Sequence, residues 1–221
     1  MKNQAFLLKR RAVPALVALG LTVGIISSCS KYLDVAPQGQ PTSQQFFQTS
    51  ADAALATNSV YGKLREWNLT AFNWLSVTTL TSDDAEKGSV PGDAEFLNDF
   101  VFFRFTSTAG AVEGYWTGQY QGINLCNQAR YVGEAQFVRA LQYFNLVRAF
   151  GDVPLQTKVA ESADELNPAR APKDKVYAQI VSDLTAAAAA LPASYPANDV
   201  GRATKGAALA LLSKVKMYQK N

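Results

Sequence analysis

The segment Gly133–Phe150, GEAQFVRALQYFNLVRAF, constrains the fold more than any other. At helical spacing, Phe137, Ala140, Leu141, Phe144 and Val147 form one stripe, while Val138, Leu146 and Phe150 lie off it. A helix that is apolar around most of its circumference must be covered on more than one side. That places it at the centre of a helical fold, with other helices packed around it. Gly151 ends the segment.

The rest of the chain supplies covering helices. Residues 51–67 carry Ala53, Ala56, Val60, Leu64 and Trp67 on one face, opened by Thr49 and Asp52 as a capping-box pair with Asp in place of Glu. A second helix is expected over residues 69–80, weakened by the run Val77, Thr78 and Thr79. Residues 82–98 are a polar connection containing Gly and Pro, and an aromatic run at 100–105 follows. Residues 111–128 place Val112, Tyr115, Trp116, Ile123 and Cys126 on one stripe. Between Pro172 and Pro192 the stripe Tyr177, Ile180, Val181, Leu184, Ala187, Ala188 and Leu191 predicts an amphipathic helix. From Thr204 onward, Ala207, Ala208, Leu211, Val215 and Tyr218 repeat the pattern. Alanine-rich faces let helices approach closely, as in tetratricopeptide hairpins, although no strict repeat of that period is present. The expected class is all-α, built of helical hairpins of tetratricopeptide-like type with irregular connecting loops.

The N-terminus reads as an export signal. A basic start runs to Arg11, an apolar stretch covers residues 12–26, and Ile26-Ser27-Ser28 stands immediately before Cys29. The stretch is shorter than the ~20 residues of a spanning helix and contains Pro14 and two glycines. An apolar residue, two small ones and a cysteine resemble a bacterial lipobox, in which the thiol is acylated and becomes the new N-terminus. Each buried methylene of the acyl chains contributes ~0.8 kcal/mol, enough in sum to hold a soluble domain at a bilayer. Residues 1–28 are therefore expected to be a lipoprotein signal peptide. Residues 29–48, broken by Pro37, Gly39 and Pro41, are the tether and lead-in, and residues 49–221 form a helical domain.

Composition narrows the chemistry. The full chain has 21 basic and 18 acidic residues, but Lys2, Lys9, Arg10 and Arg11 belong to the leader, leaving 17 against 18 and a net charge of −1. No basic cluster reappears later, so no nucleic-acid partner is expected. The complete absence of histidine excludes a Ser-His-Asp or Cys-His arrangement and removes the commonest metal ligand. With Cys29 acylated, Cys126 stands alone, on the same stripe as Trp116, and reads as an inert buried thiol.

The stretch GEAQFVRALQYFNLVRAFGDVPL at residues 133–155 resembles the signature region of the SusD/RagB-like lipoproteins, in which a long helix runs into a Gly-Asp-Val-Pro-Leu turn. Three further stretches match in order: KYLDVAPQGQPTSQQFF just after Cys29, YWTGQYQGINLCNQ at 115–128, and GRATKGAALALLSKV at 201–215. The resemblance implies an all-α fold whose tetratricopeptide-like hairpins pack on a TonB-dependent outer-membrane transporter. It implies irregular loops that hold an oligosaccharide or other small nutrient, and a palmitate-bearing anchor as the sole membrane attachment. Such a protein is surface-exposed on the cell outer membrane, with no cofactor, no metal and no catalytic residue. Two departures stand out. Gln128 abuts Ala129-Arg130-Tyr131 directly where such proteins have a connecting loop, and such proteins continue well beyond the position of Asn221. The expectation is a fragment or a truncated, internally deleted copy, incomplete at its C-terminus. The stripe of its last helix would then lack cover and its stability would be marginal.

Candidate contact residues follow from chemistry. Trp67 and Trp74 flank an Asn68–Asn73 corner, and an indole plane covers the apolar C–H face of a pyranose while amides hydrogen-bond its hydroxyls. Asp83 and Asp84, with Glu86, form the densest carboxylate cluster, readable as a glycosidase pair or a calcium loop. They lack oxygen-ligand spacing and an EF-hand glycine, so solvated loop carboxylates are the simpler reading. Trp116 reads as core, Arg139 and Arg148 as facing polar neighbours, and residues 88–92 as a loop without the features of a phosphate site. Three functions remain in view: a nutrient receptor, a lipid-anchored glycosidase, and a helical scaffold that only packs on the transporter.

Overall fold

Helix starts are set by side-chain caps that the sequence announces. In the computed structural model, which describes residues 49–129 and 133–219, Thr49 and Asp52 form the reciprocal capping box. The Asp52 N–H donates to Thr49 Oγ1 (3.2 Å) and the Thr49 N–H to Asp52 Oδ2 (2.8 Å), opening α1, Ser50–Leu64. The described residues belong to one compact unit, which begins at Thr49. Cys29, the lead-in and the junction at 130–132 lie outside the described residues.

After α1 come α2 (Trp67–Thr70), α3 (Phe72–Thr78), α4 (Leu97–Val101), α5 (Gly110–Gln128) and α6 (Gly133–Phe150). The second half adds α7 (Ala163–Leu166), α8 (Lys173–Ala190), a 3-10 turn Ala197–Asp199, and α9 (Lys205–Tyr218). The fold is mostly helical, with tetratricopeptide-like pairing of α5 with α6 and of α8 with α9. A two-residue ladder was not expected: β1 (Val153–Pro154) pairs antiparallel with β2 (Arg170–Ala171). Among the described residues no helix is long and apolar enough to cross a membrane.

The single helix expected over 69–80 is instead two, broken at Ala71, whose φ −122° and ψ −130° lie far from helical values. Hydroxyls there bond back to carbonyls one turn earlier: Thr70 to Glu66 O, Ser76 to Phe72 O and Thr78 to Trp74 O. Such back-bonding weakens and bends helices.

The α6 helix is central, as its sequence requires. Its Ala140, Tyr143, Phe144, Leu146 and Val147 join Ile123 of α5, Val176, Ile180 and Leu184 of α8, and Val215 of α9 in one core. Burying each of Leu146, Ile180 and Leu184 contributes ~1.5–3 kcal/mol. The burial order differs from the stripe: Phe137 and Leu141 are half-buried, whereas Val138 and Leu146 are fully enclosed. On α9, Ala208 and Val215 are buried and Leu211 packs on the core. The large apolar residues of that helix left exposed are Leu209, Met217 and Tyr218, so most of the predicted stripe is covered.

Two motifs acquire specific tasks. In the Gly-Asp-Val-Pro turn, Gly151 takes a left-handed φ of 68° to end α6. Asp152 Oδ1 accepts the Lys173 N–H (2.8 Å) at the start of α8, and Val153 is buried opposite Ala171. In Gly-Arg-Ala-Thr, Gly201 has φ 105°, and Thr204 caps α9 by accepting the Ala207 N–H. Arg202 donates to Glu134 (3.2 Å), which also accepts from the Tyr61 hydroxyl (2.6 Å), while that hydroxyl accepts the Ala203 N–H (2.8 Å). This network ties α1, α6 and the approach to α9 together.

Candidate functional site

Aromatic side chains left in water are the first sign of a site, because burying them would have stabilised the fold. Trp67 is 62% exposed, Phe96 51% and Phe72 41%. Their rings form a chain of edge contacts, Trp67 to Phe72 at 5.4 Å and Phe72 to Phe96 at 6.5 Å between centroids. They line a groove of about 590 Å³ whose polar lining includes Asn73, Asp99 and Arg104. Its floor contains Phe100, stacked on Phe105 at 4.6 Å, and the first residues of α5.

Local structure positions each group. The corner at Ala71 brings Asn73 back to Asn68, and the Asn73 amide donates to Asn68 Oδ1 at 2.9 Å. Gly114 of α5 makes room for this pair, since a Cβ there would stand 2.2 Å from Asn73 Nδ2. Arg104 Nε lies 3.4 Å from Asp99 Oδ1, and its guanidinium stacks 4.9 Å from the Phe102 ring centroid. Among the described residues, Ala94 (φ 46°) and Phe103 (φ 53°) are the non-glycine residues with positive φ, and they flank α4 on either side. Left-handed backbone at a Cβ-bearing residue costs roughly 1–3 kcal/mol and concentrates at ligand-binding segments.

Of the sequence candidates, Trp67 and Asn73 line the groove, and Asn68 stands behind Asn73 as its partner. Trp74, 38% exposed, lies on α3 but does not line it. Asp83 and Asp84 are exposed in the turn after α3, where Ser82 Oγ accepts the Asp84 N–H, and they too stand outside the groove. Phe72, Phe96, Asp99 and Arg104 were not among the candidates; the aromatic run at 100–105 was the available signal. Among the described residues, no group of three or more Cys, Asp or Glu is placed to hold a metal ion. Cys126 is buried and unbonded to another cysteine, and burial pushes its thiol up to about 12.

The fold and groove together define an all-α protein of paired helical hairpins carrying an open, aromatic-walled cleft with neutral and charged hydrogen-bonding groups. Residues 127–217 match the SusD-like family described as "Starch-binding associating with outer membrane". The SusD-like protein P2 of Formosa agariphila is 28% identical over 203 residues, covering 84% of this chain and 39% of that protein. Among solved structures, a laminarin-binding SusD-like protein superposes with a TM-score of 0.67 at 29% identity, over 78% of this chain and 41% of that one. A SusD-like carbohydrate-binding protein from Bacteroides fragilis gives 0.65 at 26% identity, over 79% and 38%. The chain is a SusD-like family member over the part that these matches cover, and it spans about two fifths of the length of those relatives.

Proposed function

We propose that this chain captures a glycan, an oligosaccharide in particular, in the groove walled by Trp67, Phe72 and Phe96. The observation that carries the reading is three exposed, edge-linked rings beside Asn73, Asp99 and Arg104. Ring planes cover the apolar faces of sugar units, and the amide, carboxylate and guanidinium bind hydroxyls from the sides. The carbohydrate-binding relatives support it at the level of the family. No bond is broken in this reading. Acylation of Cys29 anchors the protein at the surface of the outer membrane, and a TonB-dependent transporter receives the glycan.

Isothermal titration of the full chain against malto- and laminari-oligosaccharides tests the groove. Trp67→Ala should weaken binding about tenfold, corresponding to ~1–2 kcal/mol of lost contact with the indole plane. Binding unchanged in Trp67→Ala combined with Phe96→Ala would sink the assignment. Release of reducing ends from any bound glycan would overturn the non-enzymatic reading. Co-purification from the native membrane with a TonB-dependent transporter tests the partner.

A further inference from the structure

A second groove, of about 540 Å³, lies between α5 and the segment that follows β1. Trp116 and Tyr120, with rings 5.0 Å apart, form its aromatic side. Four amides, Gln121, Asn124, Gln156 and Asn167, line it as well; Gln121 accepts from Lys63 and Gln156 donates to Leu166 O, so Asn124 and Asn167 are the two that face a ligand with both donor and acceptor. Amides both donate and accept, which suits adjacent hydroxyls. The two cations at this groove are each paired with a carboxylate, Lys158 with Glu165 at 2.7 Å and Lys63, which reaches Gln121, with Glu66, so the site favours an uncharged ligand.

The loop forming the opposite wall is fixed by Tyr120 of the groove and by side chains buried beneath it. The Tyr120 hydroxyl donates to Pro154 O (2.7 Å), and the Tyr143 hydroxyl to Gln156 O (2.9 Å). The Asn127 amide donates to Gln156 O and Lys158 O (3.1 Å each), and the Arg139 guanidinium to Thr157 O (3.2 Å). The Gln156 side chain closes the rim by donating to Leu166 O (3.1 Å). A loop held by buried groups rather than by water loses little freedom when it binds, which favours a small polar ligand.

The two grooves border one line of α5. Gly110 lines the first, Thr117 and Asn124 the second, and steps of seven residues keep these positions on one side, about 10 Å apart along the axis. We infer that the Trp116 groove is a second saccharide subsite, taking a neutral sugar unit from the same chain that the Trp67 groove holds. This rests on the glycan-capture reading above.

The three tryptophans of the full chain allow the two sites to be read separately. With the indole N–H resonances assigned through Trp67→Phe and Trp74→Phe, a length series of malto- and laminari-oligosaccharides is titrated. The expected result is a saturable shift of both Trp67 and Trp116, with Trp116 responding most strongly to the longer chains. Asn124→Ala with Asn167→Ala, both at exposed positions, should weaken the Trp116 response about tenfold and leave that of Trp67 to the shortest sugars unchanged. If Trp67 shifts and Trp116 does not, or the double variant binds like wild type at both sites, the second subsite is refuted and the first reading stands. If neither resonance moves with any sugar, both fall together.

Discussion

Removing the carboxylate of Asp183 should cost this fold a large share of its stability. Asp183 is 2% exposed and Arg139 7%. The guanidinium grips the carboxylate with two bonds, Nε to Oδ2 at 2.8 Å and NH2 to Oδ1 at 2.6 Å, and the Gln179 amide donates to Oδ1 at 3.0 Å. Asp183 holds the Arg139 charge in place by direct bonding and by its field, against the burial that opposes it. In Asp183→Ala that charge stays enclosed with two N–H donors unmatched, a situation that costs ~3–5 kcal/mol where domain stability is ~5–15 kcal/mol. With a urea dependence of ~2 kcal/mol per molar, the unfolding midpoint followed by far-UV dichroism should fall by about 2 M. Because Arg139 also donates to Asn127 Oδ1 and Thr157 O, amide exchange in the 156–158 loop should quicken in the same variant. Arg139→Met with Asp183→Leu removes both charges and should recover most of the loss, since a buried pair contributes little over an apolar one. A single variant within about 1 kcal/mol of wild type, or a double variant no better than the single, would refute this account of the pair.

Gly114→Ala gains up to ~1 kcal/mol of helix propensity and loses about as much with the Asn73–Asn68 bond, so stability should stay near wild type while glycan binding weakens, because the new methyl displaces the Asn73 amide; melting and titration on one preparation check both. Burial holds the thiol of Cys126 and the hydroxyls of Tyr115, Tyr120 and Tyr143 above their ordinary values near 9 and 10. The unfolded chain therefore releases these protons first. Stability should be intact below pH 9 and decline as pH rises toward 12, with the buried phenols ionising only as the dichroism is lost. Cys29→Ser should move the protein out of the membrane fraction, and mass spectrometry of wild type should show an acylated N-terminus at that residue.

Helices were legible where local chemistry and burial agree. The bounds of Gly133–Phe150 followed from its apolar circumference and Gly151, and the start of α1 from its capping box. The Arg139–Asp183 pair leaves a trace in the sequence: Asp183 sits between Ile180 and Leu184 on the apolar stripe of α8, facing a helix that also carries a charge among core residues. Opposite charges on the buried faces of two neighbouring helices imply each other, because neither is tolerated alone. The break at Ala71 was less accessible, since it depends on how Ser and Thr hydroxyls divide their bonds between water and backbone.

The site was legible only in its corner. Asn68 and Asn73 were placed together because both stand at a bend, and their bond closes it. Phe96, Asp99 and Arg104 reach the groove from a segment more than twenty residues away, turned by positive φ at Ala94 and Phe103 that no side-chain preference announces. None of the four stretches that carry the family resemblance supplies a residue to the first groove; all of its lining lies between Trp67 and Ala111. Those stretches instead end helices, cap the next ones and bury the ladder, as Gly151, Asp152 and Val153 do in turn. A scaffold of this kind can be shared by relatives with different ligands, because its residues are selected by packing while the groove is built from loops free to vary. The second groove is different along its α5 wall: Trp116, Thr117, Tyr120, Gln121, Asn124 and Pro154 belong to the resembling stretches, while the facing loop with Gln156 and Asn167 lies outside them. A saccharide contact with the α5 wall would be common to the scaffold, and the choice of glycan would rest with the first groove. Substitutions between residues 67 and 111 should therefore change which sugar binds, whereas those along α5 should change how long a chain is needed.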